Sequence, residues 1–193
     1  NLFIYGKTGT GKTISIKHII VSMSKVAAQN ALPLKCIYLN CKLKRVADTE
    51  YRLIAQLIKE FGQEIPSTGL PTDEVYNIFY KLLDREKQIV LLVLDEIDQL
   101  TKKIGDEILY NLTRINVELQ KSQICLVGIS NNLVFTENLC CEIEKISNEI
   151  KSNPIKVIAI KVKTCERFEL GKILYPFQFG ARVAFLFLIL FFI

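Results

Sequence analysis

Apolar and polar residues alternate along much of this chain in blocks whose lengths indicate strands and helices in turn. Continuous apolar runs are typical of strands that are buried on both faces of a parallel sheet. Four such runs occur, at 2–5, 36–41, 89–95 and 124–130, and 155–162 is a candidate fifth strand. Because helical patterns separate the runs, the sequence predicts βαβ units. The expected fold is α/β, with three αβα layers around a parallel sheet of about five strands.

Four stretches between the runs carry apolar residues at helical spacing. They are Lys12 to about Asn30, Asp48–Phe61, a segment that follows Thr72 as its N-cap, and Asp106–Gln120. The residues expected to face inward on the first, third and fourth helices are Ile16, Ile19, Ile20, Met23 and Val26; Val75, Ile78, Phe79, Leu82 and Leu83; and Ile108, Leu109, Leu112, Ile115 and Leu119.

Composition narrows the class of protein only a little. With 193 residues, of which 50% are hydrophobic and 23% charged, the chain can bury a core of ordinary size. The net charge of +5 permits contact with nucleic acid but does not argue for it alone. The six cysteines form no C-x-x-C pair and there is one histidine, so no zinc site is expected. Cysteines scattered through apolar runs are typical of reduced thiols in a cytoplasmic protein.

A glycine-rich loop joins the first predicted strand to the first helix. The loop residues Gly6, Lys7, Thr8, Gly9, Thr10, Gly11, Lys12 and Thr13 fit the pattern G-x-x-x-x-G-K-[ST], which binds nucleotide phosphates. Glycines let backbone N–H groups approach phosphate oxygens, and a helix N-terminus favours negative charge. We expect Lys12 to reach the β- and γ-phosphates and Thr13 to hold Mg²⁺. The alternative is a chance glycine turn, against which the flanking strand and helix both count.

Polar residues also follow the third and fourth apolar runs, where ligands bind in parallel sheets. Asp95 is expected to hold Mg²⁺, directly or through water, and Glu96 to polarise a water for attack on the γ-phosphate. The alternative is a solvated acidic helix start, since Asp98 is nearby. Asn131 is a candidate for sensing the γ-phosphate, because its strand is expected beside the first one; the alternative is a turn formed by Asn131 and Asn132. The tyrosines are interpreted as core or boundary residues.

With these motifs in place, residues 1–139 resemble the AAA+ ATPases of replication initiation, and most of all the archaeal origin-recognition and cell-division-cycle type initiators. The similar segments are NLFIYGKTGTGKT, YLNC, TEYRLIAQLIKEFG, TGLPTDEVYNIFYKLLD, LLVLDEIDQL and CLVGISNN. The segment TGLPTDEVY is the most distinctive, and it argues against a clamp loader or a signalling ATPase. By this resemblance Lys12 and Thr13 are the Walker A residues, Asp95 and Glu96 the Walker B pair, and Asn131 the sensor-1 residue.

The resemblance also implies a function. A P-loop NTPase core of this type binds ATP or ADP with Mg²⁺, and it uses ATP binding and slow hydrolysis as a switch for origin recognition and helicase loading. The full-length family architecture implies origin DNA and the replicative helicase as partners and a cytoplasmic location. Self-association is left open, and no membrane partner is indicated.

The family pattern fades beyond Leu139. We therefore expect a partial AAA+ core at 1–139 and a divergent tail at 140–193. The segment before the P-loop strand, the arginine finger, the lid and the DNA-binding domain are not recognised, and Arg167 and Arg182 lie in no matching context. The hypothesis for this pattern is a fragment whose tail comes from a shifted reading frame or from a truncated gene joined to unrelated coding sequence.

Two other functions remain as alternatives. The first is a non-catalytic remnant of such an ATPase, with weak or no nucleotide turnover. The second is a membrane-attached ATPase anchored by the apolar residues Val183–Ile193. A run of this length is too short for a spanning helix, which needs about 20 residues, so the membrane interpretation is the weaker one.

Overall fold

The structure, a computed structural model of the chain, describes residues 1–43, 48–66, 69–105 and 107–132 and the backbone of 158–162. All of these belong to the first of two units into which the chain divides, Asn1–Val162. The second, Lys163–Ile193, lies outside the described residues, as do Arg167 and Arg182. The predicted boundary at Leu139 lies outside them too and stays a prediction.

Within the described residues, five strands form one sheet in the order β2-β3-β4-β1-β5. They are β1 (Leu2–Gly6), β2 (Leu34–Asn40), β3 (Ile89–Asp95), β4 (Gln123–Ser130) and β5 (Ile158–Val162). Every pairing is parallel, so all the carboxyl ends lie at the same edge. The predicted α/β fold with a parallel sheet is confirmed, and so is the position of the fourth strand beside the first.

Helices connect the strands and cover both faces of the sheet. They are α1 (Lys12–Gln29), α2 (Glu50–Glu60), α3 (Thr72–Leu83), α4 (Ile97–Ile104) and α5 (Glu107–Arg114). Leu92 and Leu94 of β3 pack in one core with α2, α3, α4 and α5. Successive side chains of a strand point to opposite faces, so Asp95 lies on the other face, where its carboxylate contacts Thr13 of α1.

The inward face of α1 differs in one position from the prediction. Val26 was expected to face inward, but the residue is 42% exposed, whereas Ala27 is 4% exposed. An α-helix advances about 100° per residue, so Ala27 lies about 20° from Ile16 around the axis and Val26 about 80° away. The small Ala27 therefore continues the buried stripe that begins at Ile16, which is itself buried.

The helices that follow β2 begin at residues different from those predicted. Thr49 is the N-cap of α2, because its hydroxyl accepts a hydrogen bond from the Arg52 backbone N–H at 3.3 Å. The helix therefore begins after Thr49 rather than at Asp48. In α3 the N-cap is Pro71, and Thr72, which was predicted to be the cap, is the first helical residue.

The region before β4 is less helical than predicted. Helix α5 ends at Arg114 and gives way to one 3₁₀ turn, Ile115–Val117. The Asn116 amide donates to the Ile124 carbonyl and accepts from the Ile124 N–H, both at 2.7 Å. These bonds tie the turn to β4 and compete with continued helix. Leu119 still packs against the core, as predicted.

The apolar stripes of α3 and α5 are confirmed. Val75, Phe79 and Leu83 are buried along α3, and Ile78 and Leu82 pack beside them. The predicted residues of α5 and the following turn, Ile108, Leu109, Leu112 and Ile115, are buried as well. In the part of the chain that the structure describes, no helix combines the length and the apolar character needed to cross a bilayer.

Candidate nucleotide-binding site

The loop between β1 and α1 owes its shape to two glycines. Gly9 and Gly11 have φ angles of +83° and +80°, in the left-handed region that side chains with a Cβ adopt only at a cost. Gly11 immediately precedes α1, whose first N–H groups have no partner within the helix. The loop therefore brings unpaired backbone donors to the carboxyl edge of the sheet.

The Lys12 ammonium lies inside this loop. Only 7% of the residue is exposed, and its Nζ donates to the carbonyls of Gly6 and Lys7, both at 2.8 Å, and to the Thr10 hydroxyl at 3.2 Å. An ammonium has three donors, so these contacts use all of them. Burial lowers the pKa of Lys12, and the carboxylates of Asp95 and Asp98 act in the opposite direction.

Asp95 joins the end of β3 to the start of α1. Its Oδ2 accepts hydrogen bonds from the Thr13 hydroxyl at 3.0 Å and the Tyr38 phenol at 2.6 Å, and its Oδ1 accepts from the Glu96 N–H at 2.9 Å. Only 3% of Asp95 is exposed. Burial, and then the bond to Asp95, raise the pKa of Tyr38, so its phenol keeps its proton and acts as the donor.

The oxygens of Thr13 and Asp95 fit a magnesium ion. Mg²⁺ favours hydroxyl and carboxylate ligands in an octahedron with bonds of about 2.1 Å, in which neighbouring ligands are about 3 Å apart. Thr13 Oγ1 and Asp95 Oδ2 are 3.0 Å apart. The donor set and its spacing are therefore compatible with a shared metal site.

Glu96 follows Asp95 but has different surroundings. It is the N-cap of α4 in a left-handed conformation, with φ +53°. Its carboxylate is partly exposed and lies 3.9 Å from the ammonium of Lys42, which is well exposed. An exposed ion pair of this kind contributes little energy, so it leaves the Glu96 carboxylate free to turn towards the site.

Asp98 ties α4 to the end of β4. Its Oδ1 accepts hydrogen bonds from the Ser130 hydroxyl at 3.1 Å and the Asn131 N–H at 3.4 Å, and its Oδ2 accepts from the Gln99 amide at 3.1 Å. The alternative of a solvated acidic helix start does not fit Asp95 or Asp98, because only 3% and 5% of these residues are exposed. The backbone of Asn131 is thus held to the helix that Glu96 begins.

Strand order brings most of the predicted site residues to one edge. Strand β4 lies between β1 and β3, so Asn131 follows the strand between the glycine loop and Asp95. Tyr38 was not predicted to be a partner of Asp95. The sequence does show that Tyr38 and Asn40, which are two residues apart, lie on the same face of β2. Only the strand register shows that Asn40 pairs with Asp95, and therefore that Tyr38 lies near this carboxylate.

Comparisons with known proteins agree with the resemblance. A family model described as an AAA domain matches residues 1–133. An ORC1-type DNA replication protein of Pyrococcus abyssi is 46% identical over 143 residues, which cover 72% of this chain and 33% of that protein. An ORC1-type DNA replication protein 1 of Archaeoglobus fulgidus is 48% identical over 139 residues, with the same coverage. The chain thus spans about a third of the length of these curated relatives.

Solved structures show the same relationship. The Aeropyrum pernix ORC1 protein in complex with DNA matches with a TM-score of 0.69 at 35% identity, covering 86% of this chain and 40% of that one. The ADP form of the Aeropyrum pernix ORC2 protein matches with a TM-score of 0.67 at 22% identity, covering 84% and 42%, and shows the shared fold. The chain therefore belongs to the AAA domain family, and its core is of the archaeal ORC1/Cdc6 type.

Proposed function

We propose that this chain is the ATP-binding core of a DNA replication initiator, and that it binds ATP with Mg²⁺ in the loop between β1 and α1. The observation that carries the proposal is the contact between Thr13 and Asp95. These residues are 82 positions apart in the chain, yet their side chains meet at 3.0 Å beside the loop that encloses Lys12. A structural ion pair or a chance turn would not require both a glycine loop around a buried lysine and a carboxylate from a distant strand beside it.

Lys12 is prepared to bind phosphate. Its ammonium is held inside the loop by the neutral carbonyls of Gly6 and Lys7. A phosphate oxygen is the stronger acceptor, because a hydrogen bond between two charged groups is roughly twice as strong as a neutral one. Since the side chain is already ordered, little conformational entropy remains to be lost when the β- and γ-phosphates enter.

Thr13 and Asp95 are the residues that would hold the metal. When it is bound, Mg²⁺ neutralises charge that develops on the phosphate oxygens. Glu96 accepts a hydrogen bond from the water that attacks the γ-phosphate, and Asn131 orients that water or senses the phosphate. The loop residues Gly6, Lys7, Thr8, Gly9, Thr10 and Gly11 contribute backbone and hydroxyl donors to the phosphates.

The site is suited to a switch between two nucleotide states. The Asn131 backbone is bonded to Asp98 of α4, so a change at the γ-phosphate would move the end of β4 together with the helix that Glu96 begins. Similarity to ORC1-type DNA replication proteins supports the role in initiation. For the whole protein we propose origin DNA and the replicative helicase as partners, in the cytoplasm.

We infer that hydrolysis by this chain is slow. Each of the three arginines in the described ranges has a contact away from the loop, Arg52 with Asp48, Arg85 with Glu86 and Arg114 with Tyr110. An arginine placed against the γ-phosphate accelerates hydrolysis by about 10³–10⁵. We expect turnover well below one per second.

The test is equilibrium binding of a fluorescent ATP analogue in Mg²⁺. Lys12→Ala removes the buried ammonium and is expected to weaken binding by at least about 100-fold, because charged hydrogen bonds to phosphate are lost. Lys25→Ala is the matched control, since it removes an exposed lysine of the same helix. Equal affinity of Lys12→Ala and Lys25→Ala would contradict the proposal, and a folded wild-type chain that binds no nucleotide would overturn it.

A further inference from the structure

We propose that Tyr38 is a positioning residue for the metal at this site. Its phenol fixes the Asp95 carboxylate with one oxygen facing Thr13, and it thereby sets how tightly Mg²⁺ binds together with the nucleotide. The inference rests on the proposed function, because it concerns the metal that accompanies ATP.

The contact between Tyr38 and Asp95 is short and partly shielded from water. The phenol oxygen lies 2.6 Å from Asp95 Oδ2, within the range of charge-assisted O–H···O⁻ bonds. The other carboxylate oxygen accepts the Glu96 N–H at 2.9 Å. Because Tyr38 donates to one oxygen and the Glu96 N–H to the other, rotation of the carboxylate would break both of these bonds. The orientation of Asp95 is therefore fixed before a metal arrives.

The two donors on Asp95 Oδ2 would have different roles with a metal bound. Thr13 would be a ligand, because its hydroxyl oxygen has a lone pair for Mg²⁺ and still keeps the proton that it donates. The Tyr38 phenol is not a ligand in this arrangement, and its bond to Oδ2 can persist. Such outer partners of a metal ligand orient it and typically change metal affinity or activity by about 10–100-fold when they are removed.

Helix α1 contacts both Asp95 and Tyr38. Thr13 contacts Asp95, and Lys17, one helical turn later, places its ammonium 4.6 Å from the centre of the Tyr38 ring. A cation over the ring face is attracted by its electron density. The Tyr38 ring is thus held by α1, so the phenol has a defined position relative to the metal ligands and not only relative to its own strand.

The experiment compares the Mg²⁺ dependence of nucleotide binding in two tyrosine variants. Tyr38→Phe keeps the ring and removes the hydroxyl that contacts Asp95. Tyr51→Phe is the matched control, because its hydroxyl donates to the Pro66 carbonyl, outside the site. For each chain, Mg²⁺ is titrated at a fixed concentration of a fluorescent ATP analogue, and affinity is also measured in EDTA.

We expect the Mg²⁺ concentration for half-maximal binding to rise by about 10-fold in Tyr38→Phe, with no change in affinity in EDTA. Tyr51→Phe should match the wild type in both measurements. A Tyr38→Phe midpoint equal to that of the wild type would overturn the inference. An equal loss of affinity with and without metal would overturn it too, since that result indicates a packing role for the ring.

Failure of the proposed function has a different signature in the same experiment. In that case the wild-type chain itself would show no saturable binding, or binding that does not depend on Mg²⁺. Either result overturns the metal site and the role of Tyr38 with it. Thermal unfolding of all three chains confirms that the comparison is made between folded proteins.

Discussion

At the scale of single residues, Glu96 is the one whose backbone and chemistry are most closely linked. Its φ of +53° is a conformation that costs about 1–3 kcal/mol and is found mainly where a site requires it. Its N–H donates to Asp95 Oδ1 at 2.9 Å. Adjacent carboxylates thus have separate environments, since Asp95 is 3% exposed and Glu96 is partly open to water.

This difference predicts that loss of the Glu96 carboxylate affects turnover and not nucleotide binding. Glu96→Gln keeps the size of the side chain but removes the base, so ATP turnover should fall by about 10²–10⁴ while nucleotide binding is unchanged. Steady-state phosphate release and equilibrium binding measure the two effects. Glu86→Gln, at an exposed position, is the control that should change neither. Turnover of Glu96→Gln equal to that of the control would refute the base role.

Residue roles were predictable from the sequence only where a local motif carries them. Lys12 and Thr13 stand in one continuous loop pattern, and Asp95 ends an apolar run, so their chemistry can be inferred without knowing any partner. Tyr38 and Asp98 depend on neighbours that are distant in sequence. Tyr38 is 57 residues from Asp95, and Asp98 is 32 residues from Ser130.

At the scale of elements, α1 ends in a motif that normally uses glycine. The Leu32 N–H bonds to the Ala27 carbonyl at 2.9 Å, and the Ala31 N–H to the Ala28 carbonyl at 3.4 Å. These are the two bonds of a Schellman cap, in which the residue after the C-cap is left-handed. Here that residue is Ala31, with φ +51°, and its Cβ makes the conformation costly.

The cap predicts opposite signs for two alanine-to-glycine changes. Ala31→Gly removes the strain and should raise the free energy of unfolding by about 0.5–1 kcal/mol, after the greater entropy of the unfolded glycine is included. Ala28→Gly, at an exposed position inside α1, should lower it by about 1 kcal/mol. Urea unfolding measures both. A loss of stability in Ala31→Gly comparable to that in Ala28→Gly would contradict the assigned cap.

Strand positions were easier to predict than helix ends. The run 89–95 was predicted and observed with the same bounds. A parallel strand that is buried on both faces is apolar throughout, so its ends are visible in the sequence. The predicted helix before β4 is longer than the observed one, because the helical spacing of apolar residues continues through Leu119. The helix ends earlier because the Asn116 side chain bonds to the backbone of β4. The spacing of apolar residues carries no information about such a hydrogen bond.

At the scale of the whole molecule, the sheet order assembles the site. Strands β1, β4 and β3 are neighbours, and their carboxyl ends carry the glycine loop, Asn131 and Asp95. The sequence predicted that β4 lies beside β1, and the structure confirms it. It did not predict that β2 lies beside β3, and this neighbour supplies Tyr38. The chain spans about a third of the length of its curated relatives. The role in initiation is therefore a proposal about the whole protein.

The measurement that tests the account most directly is the affinity for ATP in Mg²⁺ and in EDTA, for the wild type and two variants of Thr13. Thr13→Ser keeps the hydroxyl that meets Asp95, and Thr13→Ala removes it. We predict that Mg²⁺ tightens binding by at least about 10-fold in the wild type and in Thr13→Ser, and that this gain is lost in Thr13→Ala, whose affinity in EDTA is unchanged. The same gain in Thr13→Ala would contradict the claim that the glycine loop and Asp95 form one site for ATP and its metal.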